Sequence, residues 1–233
     1  MKLGRLETRE ATIIERDSRV TVKVEVGGRI LRLHLTNTGR LKDLIWRGAK
    51  ALYVEKRGPR THGRLVGILL NHEAALIDTQ LHEHIFEELL ERGLIRWLRG
   101  YKVKSREVRR LGSRIDYLLH SSKEGNLFLE IKSATLLEDD GAATYPDAPS
   151  TRGLRQIKTL IRLQRLGART GILFISGHPY VKFFRPNKTI DPDISEALGE
   201  AANIGVKIKA IKLHLTRDGE IILDSLDLPV RIN

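Results

Sequence analysis

The stretch Ser113 to Ala134, SRIDYLLHSSKEGNLFLEIKSA, constrains the chain most. Ile115, Tyr117, Leu118 and Leu119 form one apolar run. Leu127, Phe128, Leu129 and Ile131 form another, and the turn-forming residues Ser121 to Gly125 lie between them. This predicts a hairpin of two strands. Three charges interrupt it: Asp116, Glu130 and Lys132. Side chains alternate along a strand, so Glu130 and Lys132 share a face. With Ser121 to Gly125 as the loop, His120 pairs with Asn126 and Asp116 falls opposite Glu130. Half-buried carboxylates facing each other repel and ask for a cation between them. A hard divalent ion such as Mg2+ suits two carboxylates, and Lys132 beside them could hold or polarise a water or a phosphate oxygen. The competing reading of the same spacing is a plain ion pair on a solvated strand edge.

An Asp followed on the next strand by Glu-x-Lys is the pattern of the PD-(D/E)XK nucleases, the restriction-endonuclease-like fold, and these residues resemble it. The rest of the chain decides what such a site would meet. Its 233 residues carry a formal net charge of +12. The charge is clustered: between Asp147 and Asp191 there is no acidic residue, while Arg and Lys recur throughout. A second cluster runs from Arg99 to Arg114, opposed only by Glu107. Such fields favour polyanions, nucleic acid first. There is no cysteine, which excludes a disulfide framework, a thiolate metal site and a thiol nucleophile. No apolar run is long enough to span a membrane, and the start MKLGRLETRE is too polar for a signal peptide. These features fit a cytoplasmic protein. The oligomeric state is left open, with a homodimer among the options.

Taken in order, residues 11–36 read as strands. Val20, Val22, Val24 and Val26 alternate with polar residues, Gly27-Gly28 makes a tight turn, and Ile30 to Leu35 returns. Ala51 to Val54 and Leu65 to Leu70 are further strands, separated by the basic loop Lys56 to Arg60. Short strands without a helix predict a small OB-like β-barrel over residues 1–77. From Asp78 the period becomes helical: Leu81, Ile85 and Leu89 recur, with Asp78 or Thr79 as cap and Gly93 as stop. Glu88 sits at the edge of that apolar stripe, while Glu83, Glu87 and Glu91 are expected to face water. Residues 101–111 form a basic strand ahead of the hairpin, and 138–149 read as a long irregular loop. Ser150 or Thr151 then caps a helix to about Leu166. Arg152, Arg155, Lys158, Arg162 and Arg165 line one face, and Gln156 and Gln164 fall on the apolar side. A basic face of this kind could lie along a phosphate backbone. Gly171 to Ser176 is a buried strand, with Tyr180 to Arg185 as a shorter partner. A helix at Asp191 to Ala202 and strands at Val206 to Leu215 and Ile221 to Leu223 complete a mixed α/β unit over residues 78–233.

Four stretches resemble the sugar fermentation stimulation protein A (SfsA) family. They are Asn37-Thr38-Gly39-Arg40, Arg114-Ile115-Asp116-Tyr117, Glu130-Ile131-Lys132-Ser133, and Pro146-Asp147-Ala148 followed by Arg152-Gly153. The resemblance implies an OB-like domain and a PD-(D/E)XK-like α/β domain, DNA binding, and a link to regulation of sugar metabolism. It implies Asp116, Glu130 and the helix acid Glu88 as ligands of Mg2+ or Mn2+, with Lys132 orienting or activating the attacking water. Gln156 departs from the pattern, standing where many members have His. Arg114, Arg152, Arg155, Lys158, Arg162, Arg40 and Arg16 are the expected nucleic-acid contacts. Two functions follow: a metal-dependent phosphodiesterase acting on DNA, or a DNA-binding protein that keeps the nuclease fold without cutting. RNA is the alternative polymer.

Overall fold

Val22 and Val24 are fully buried while Thr21, Lys23 and Glu25 are partly or fully wet, and Gly27 and Gly28, both at positive φ, turn the chain sharply back. The computed structural model describes residues 1–56, 58 and 60–232. After a first strand, Lys2–Arg5 (β1), the strands Thr8–Ser18 (β2), Thr21–Val26 (β3), Arg29–His34 (β4), Lys50–Glu55 (β5) and Gly63–Leu70 (β6) follow. They pair in the order β4-β3-β2-β5-β6, and a parallel β4–β6 contact, Leu33 with Gly63, closes a five-stranded barrel. Ile13, Val22, Val24, Leu33, Tyr53 and Leu65 fill it. Of the basic loop Lys56 to Arg60, Arg57 and Pro59 lie outside the described residues.

The strand Glu73–Leu76 (β7) leads out of the barrel into the helix Thr79–Glu91 (α1). Asp78 caps that helix, accepting from the N–H groups of Gln80 and Leu81. Asp78 is fully buried, accepts from the Thr36 hydroxyl at 2.9 Å and faces Arg64 Nε at 2.6 Å. The helix start is thus fastened to the barrel. A 3-10 turn at Arg96–Leu98 precedes Lys102–Arg110 (β8), Ser113–Ser121 (β9) and Gly125–Ser133 (β10). Then come Leu136–Leu137 (β11), Ala142–Tyr145 (β12), the helix Thr151–Arg165 (α2), Arg169–Ser176 (β13), Phe183–Pro186 (β14), the helix Pro192–Asn203 (α3), Lys207–Thr216 (β15) and Glu220–Leu228 (β16).

The second half is a mixed sheet in the order β7-β15-β13-β10-β9-β8, with β10, β13 and β15 parallel. α1 covers one face through Leu81, Ile85, Phe86 and Leu89, against Leu119, Leu129, Leu173 and Ile175. α2 and α3 cover the other through Ile157, Leu160, Ile161, Ile194 and Leu198, against Ile172 and Phe174. Each such buried side chain stabilises the sandwich by about 1.5–3 kcal/mol. β16 lies antiparallel to β15 and also pairs with β1, so the first residues join the sheet rather than the barrel.

Four segments differ from the sequence reading. The expected loop after Glu138 carries β12, which with β11 and β14 makes a separate three-stranded sheet. Two- and four-residue strands are too short to show a period. The expected strand from Tyr180 starts only at Phe183, because Tyr180 turns outward and donates its hydroxyl to Leu70 O. β1 and β7, four residues each, gave no pattern of their own. Among the described residues no helix is long and apolar enough to cross a membrane.

Candidate active site

The hairpin register pairs Asn126 with His120, Leu127 with Leu119 and Leu129 with Tyr117, and there the main-chain ladder between β9 and β10 stops. The next pair in register is Asp116 and Glu130. Each carboxylate takes a main-chain donor of the opposing strand: Asp116 N–H donates to Glu130 Oε2 at 3.2 Å, and Ile131 N–H to Asp116 Oδ2 at 2.9 Å. A buried polar group must be paired, and here the strands part so that the two acids can be.

Glu130 is fully buried, and its Oε1 meets the ammonium of Lys132, two residues on along the same face. Lys132 also donates to Gln156 Oε1 at 2.9 Å, and Gln156 Nε2 donates to Arg114 O at 2.8 Å. The buried Gln156 reaches the site because α2 begins at Ser150, whose hydroxyl accepts from Gly153 N–H. Gly153 has no room for a Cβ, which would strike the Tyr145 hydroxyl.

These groups line a cleft of about 370 Å³. Its far wall is the barrel loop Thr36 to Gly39, and its other walls are Glu83 of α1, the Tyr145 to Ser150 segment and Arg152. Two of the short stretches singled out in the sequence meet here. Asp147 Oδ2 accepts from Leu41 N–H at 3.1 Å, and a Cβ on Gly39 would collide with that carboxylate. Asn37 donates to Ser133 Oγ at 3.4 Å and accepts from Gly39 N–H. The barrel and the sheet therefore build one cleft between them.

Burial pushes the Glu130 carboxyl up to about 7, Lys132 pulls it back and Asp116 adds to the rise. Burial opposes the charge on Lys132, but Glu130 first, then Tyr145 and Asp116, outweigh it and hold the amine above its ordinary range. Glu83 is open to solvent on one side. Even so, loss of hydration within the cleft first, and Asp116 next, push it up to about 7. Acids crowded to this degree are ones that a cation would relieve.

The structure brings Asp116, Glu130 and Lys132 together and leaves Glu88 apart. Glu88 is half exposed and paired with Arg92 at 2.9 Å. Five residues on a helix turn about 140°, so it is Glu83, expected to face water, that fronts the cleft. Nothing in a single sequence separates these two acids, because the choice depends on the tilt of α1 against the sheet. Of the expected nucleic-acid contacts, Arg152 and Arg155 line a neighbouring basic hollow with Arg109 and Arg114, while Lys158, Arg162 and Arg40 are exposed. Arg114 is ion-paired with Glu107 at 3.3 Å. Arg16 is occupied otherwise: its guanidinium donates to the carbonyls of Gly39, Arg40 and Arg19 and holds the barrel loop.

The donors facing the cleft are oxygens, which suits a hard divalent ion. Oδ1 of Asp116 accepts no hydrogen bond among the described residues. Among those residues no three His, Asp or Glu side chains are arranged to hold a metal by themselves, so water or substrate oxygens would complete a coordination shell. Two family models match the chain: the SfsA N-terminal OB domain over residues 14–77 and the sugar fermentation stimulation protein RE domain over residues 80–219. A sugar fermentation stimulation protein homolog of Pyrococcus furiosus is 43% identical over 209 residues, 90% of each chain. One of Caldivirga maquilingensis is 39% identical over 186 residues, 80% of each. The solved structure of Pyrococcus furiosus SfsA in complex with Ca2+ superposes with a TM-score of 0.95 at 40% identity, covering 99% of each chain. The chain belongs to the SfsA family.

Proposed function

We propose that this protein binds DNA and hydrolyses its phosphodiester bonds with a divalent ion, Mg2+ or Mn2+, in a PD-(D/E)XK-type site. The observation that carries the reading is the joining of Asp116, Glu130 and Lys132 in one cleft with a basic hollow beside it. Asp116 and Glu130 would hold the ion, with Glu83 near enough to add a carboxylate to the cleft. Such an ion would supply Lewis acidity for the attack on the phosphate. Glu130 and Gln156 hold the Lys132 ammonium in place. From there it orients the attacking water and offsets negative charge as it grows on the phosphate. Arg114, Arg152 and Arg155 would seat the flanking phosphates, and the exposed Lys158 and Arg162 of α2 would extend that track. The division into an OB-like unit over 1–77 and a nuclease-like unit over 78–233 belongs to the same reading. The relative solved with Ca2+ supports divalent-ion use. A cytoplasmic role in regulating sugar metabolism rests on the relatives' name and on the cysteine-free composition.

A specific observation favours a second reading, a DNA-binding protein that does not cut. Lys132 is already paired with Glu130 and Gln156, and among the described residues no third acid is arranged with Asp116 and Glu130 to hold a metal. Incubation with plasmid, linear and single-stranded DNA in Mg2+ or Mn2+ separates the two. Cleavage that falls by about 10²–10³-fold in Lys132→Ala, and vanishes with chelator, supports the enzyme. Retention of DNA without cleavage under every metal supports the binder.

A further inference from the structure

A second cavity, of about 450 Å³, lies at the other end of the sheet. Its position follows from the register. Lys132 pairs with Phe174, whereas Leu127, which lines the cavity, pairs with Arg169. Five residues of strand separate the two sites by about 16 Å. The walls come from the 3-10 turn, the ends of α2 and α3, and the starts of β13 and β15.

Four cations meet there, Arg96, Arg99, Arg169 and Lys207, against the single acid Glu124. Glu124 is taken by Arg169. Among the described residues, Arg96, Arg99 and Lys207 have no ion-pair partner. The apolar part of the lining is Trp97, Tyr101 and Leu127. Trp97 stacks close over Gly171, where a Cβ would crowd the indole. Its Nε1 is buried and meets no acceptor among the described residues. A buried donor without a partner is uncommon and asks for one. Gln164, on the otherwise apolar side of α2, also lines the cavity, and its Oε1 is fixed by the Thr170 hydroxyl at 2.7 Å. Concave sites of this volume with aromatic walls and a few convergent polar groups take small molecules.

We propose that this cavity binds a nucleoside phosphate, the phosphate on Arg99, Arg96 and Lys207 and the base against Trp97. Guanidinium groups match phosphate oxygens two at a time, and an indole ring offers a face to any base. The ligand is either a free nucleotide or the 5′-phosphorylated end of a strand. Either source presents the same chemistry. The site shares no residue with the cleft, so it stands or falls apart from the hydrolytic reading.

The chain has two tryptophans, and Trp46 lies exposed on the barrel, lining a different hollow. Trp46→Phe therefore leaves Trp97 as the sole reporter. Titration with dAMP, with ATP or with short oligonucleotides bearing a 5′-phosphate is expected to change Trp97 fluorescence saturably, and oligonucleotides lacking the 5′-phosphate are expected to leave it unchanged. Arg99→Ala with Lys207→Ala should weaken the response at least tenfold, while melting temperature and DNA retention by the cleft stay as in the parent. Response to mononucleotides assigns the free ligand. Response only to 5′-phosphorylated oligonucleotides assigns the strand end. No saturable response to any of these at millimolar concentration, or a response that the double substitution leaves intact, overturns the proposal.

Discussion

Asp116 and Glu130 each bind the main chain of the other's strand. The Asp116 carboxylate takes Ile131 N–H, and the Glu130 carboxylate takes Asp116 N–H. Each of the two opposed acids is thus met by a main-chain amide of the other's strand, and Glu130 is also met by Lys132. The same bonds hold both acids rigid, as a metal-binding pair requires.

The buried Lys132–Glu130 pair should break asymmetrically. Glu130→Ala leaves an ammonium in a nearly closed site, and loss of a partner from a buried pair costs about 3–5 kcal/mol. Lys132→Met leaves a carboxyl that burial already holds up to about 7, so Glu130 can take a proton and stay. Urea unfolding at pH 6 should show the Lys132→Met protein to be the more stable of the two.

Divalent binding should depend on pH through the same groups. Glu130 and Glu83 are both raised to about 7. An acid raised in the folded state binds protons that the unfolded chain releases near 4.5. Its stabilising effect is complete below that value and is lost as pH climbs through 7. Metal requires the deprotonated form. Apparent affinity for Mg2+ should therefore rise between pH 5.5 and 7.5 by up to about tenfold per unit for each proton displaced, while metal-free stability falls over the same range. Calorimetry in buffers of different ionisation enthalpy would count the protons. In Glu83→Gln the steepness should drop.

How much of this was legible beforehand depended on whether a residue's place is set locally. The hairpin register followed from alternation and a short turn, and it brought Asp116, Glu130 and Lys132 together. Asp78 and Ser150 were readable as caps because their partners lie two or three residues on. Glu83 was not readable, since the helix that carries it is aimed by packing against distant β9 and β10. Asp147 and Gly39 appeared only as parts of short motifs. The hydrogen bond from Leu41 N–H to Asp147 that fixes their contact joins residues 106 positions apart, and no periodicity reports that. Arg16 looked like every other exposed cation until its carbonyl partners were visible.

The contact between barrel loop and cleft gives a double-mutant test. Gly39→Ala places a methyl group against the Asp147 carboxylate, and overpacking of this kind costs about 1–3 kcal/mol. In an Asp147→Ala background the methyl has room, and the added cost of Gly39→Ala should shrink to a few tenths of a kcal/mol, read as a smaller drop in melting temperature. Equal costs in both backgrounds would place the strain elsewhere.

The basic residues should divide into two kinds. Arg152→Ala and Arg155→Ala should each weaken DNA retention and lower the slope of log affinity against log salt by about 1. Arg16→Ala should instead loosen the loop Asn37 to Arg40, whose carbonyls it holds. Its melting temperature should fall with little change in salt slope.

Titration of Mn2+ or Mg2+ into the purified protein by calorimetry at pH 7.5 tests most directly whether Asp116 and Glu130 seat a divalent ion. One saturable site in the parent, weakened at least tenfold in both Asp116→Asn and Glu130→Gln, is the predicted outcome. Binding of undiminished strength in both variants, each shown to be folded, would contradict it.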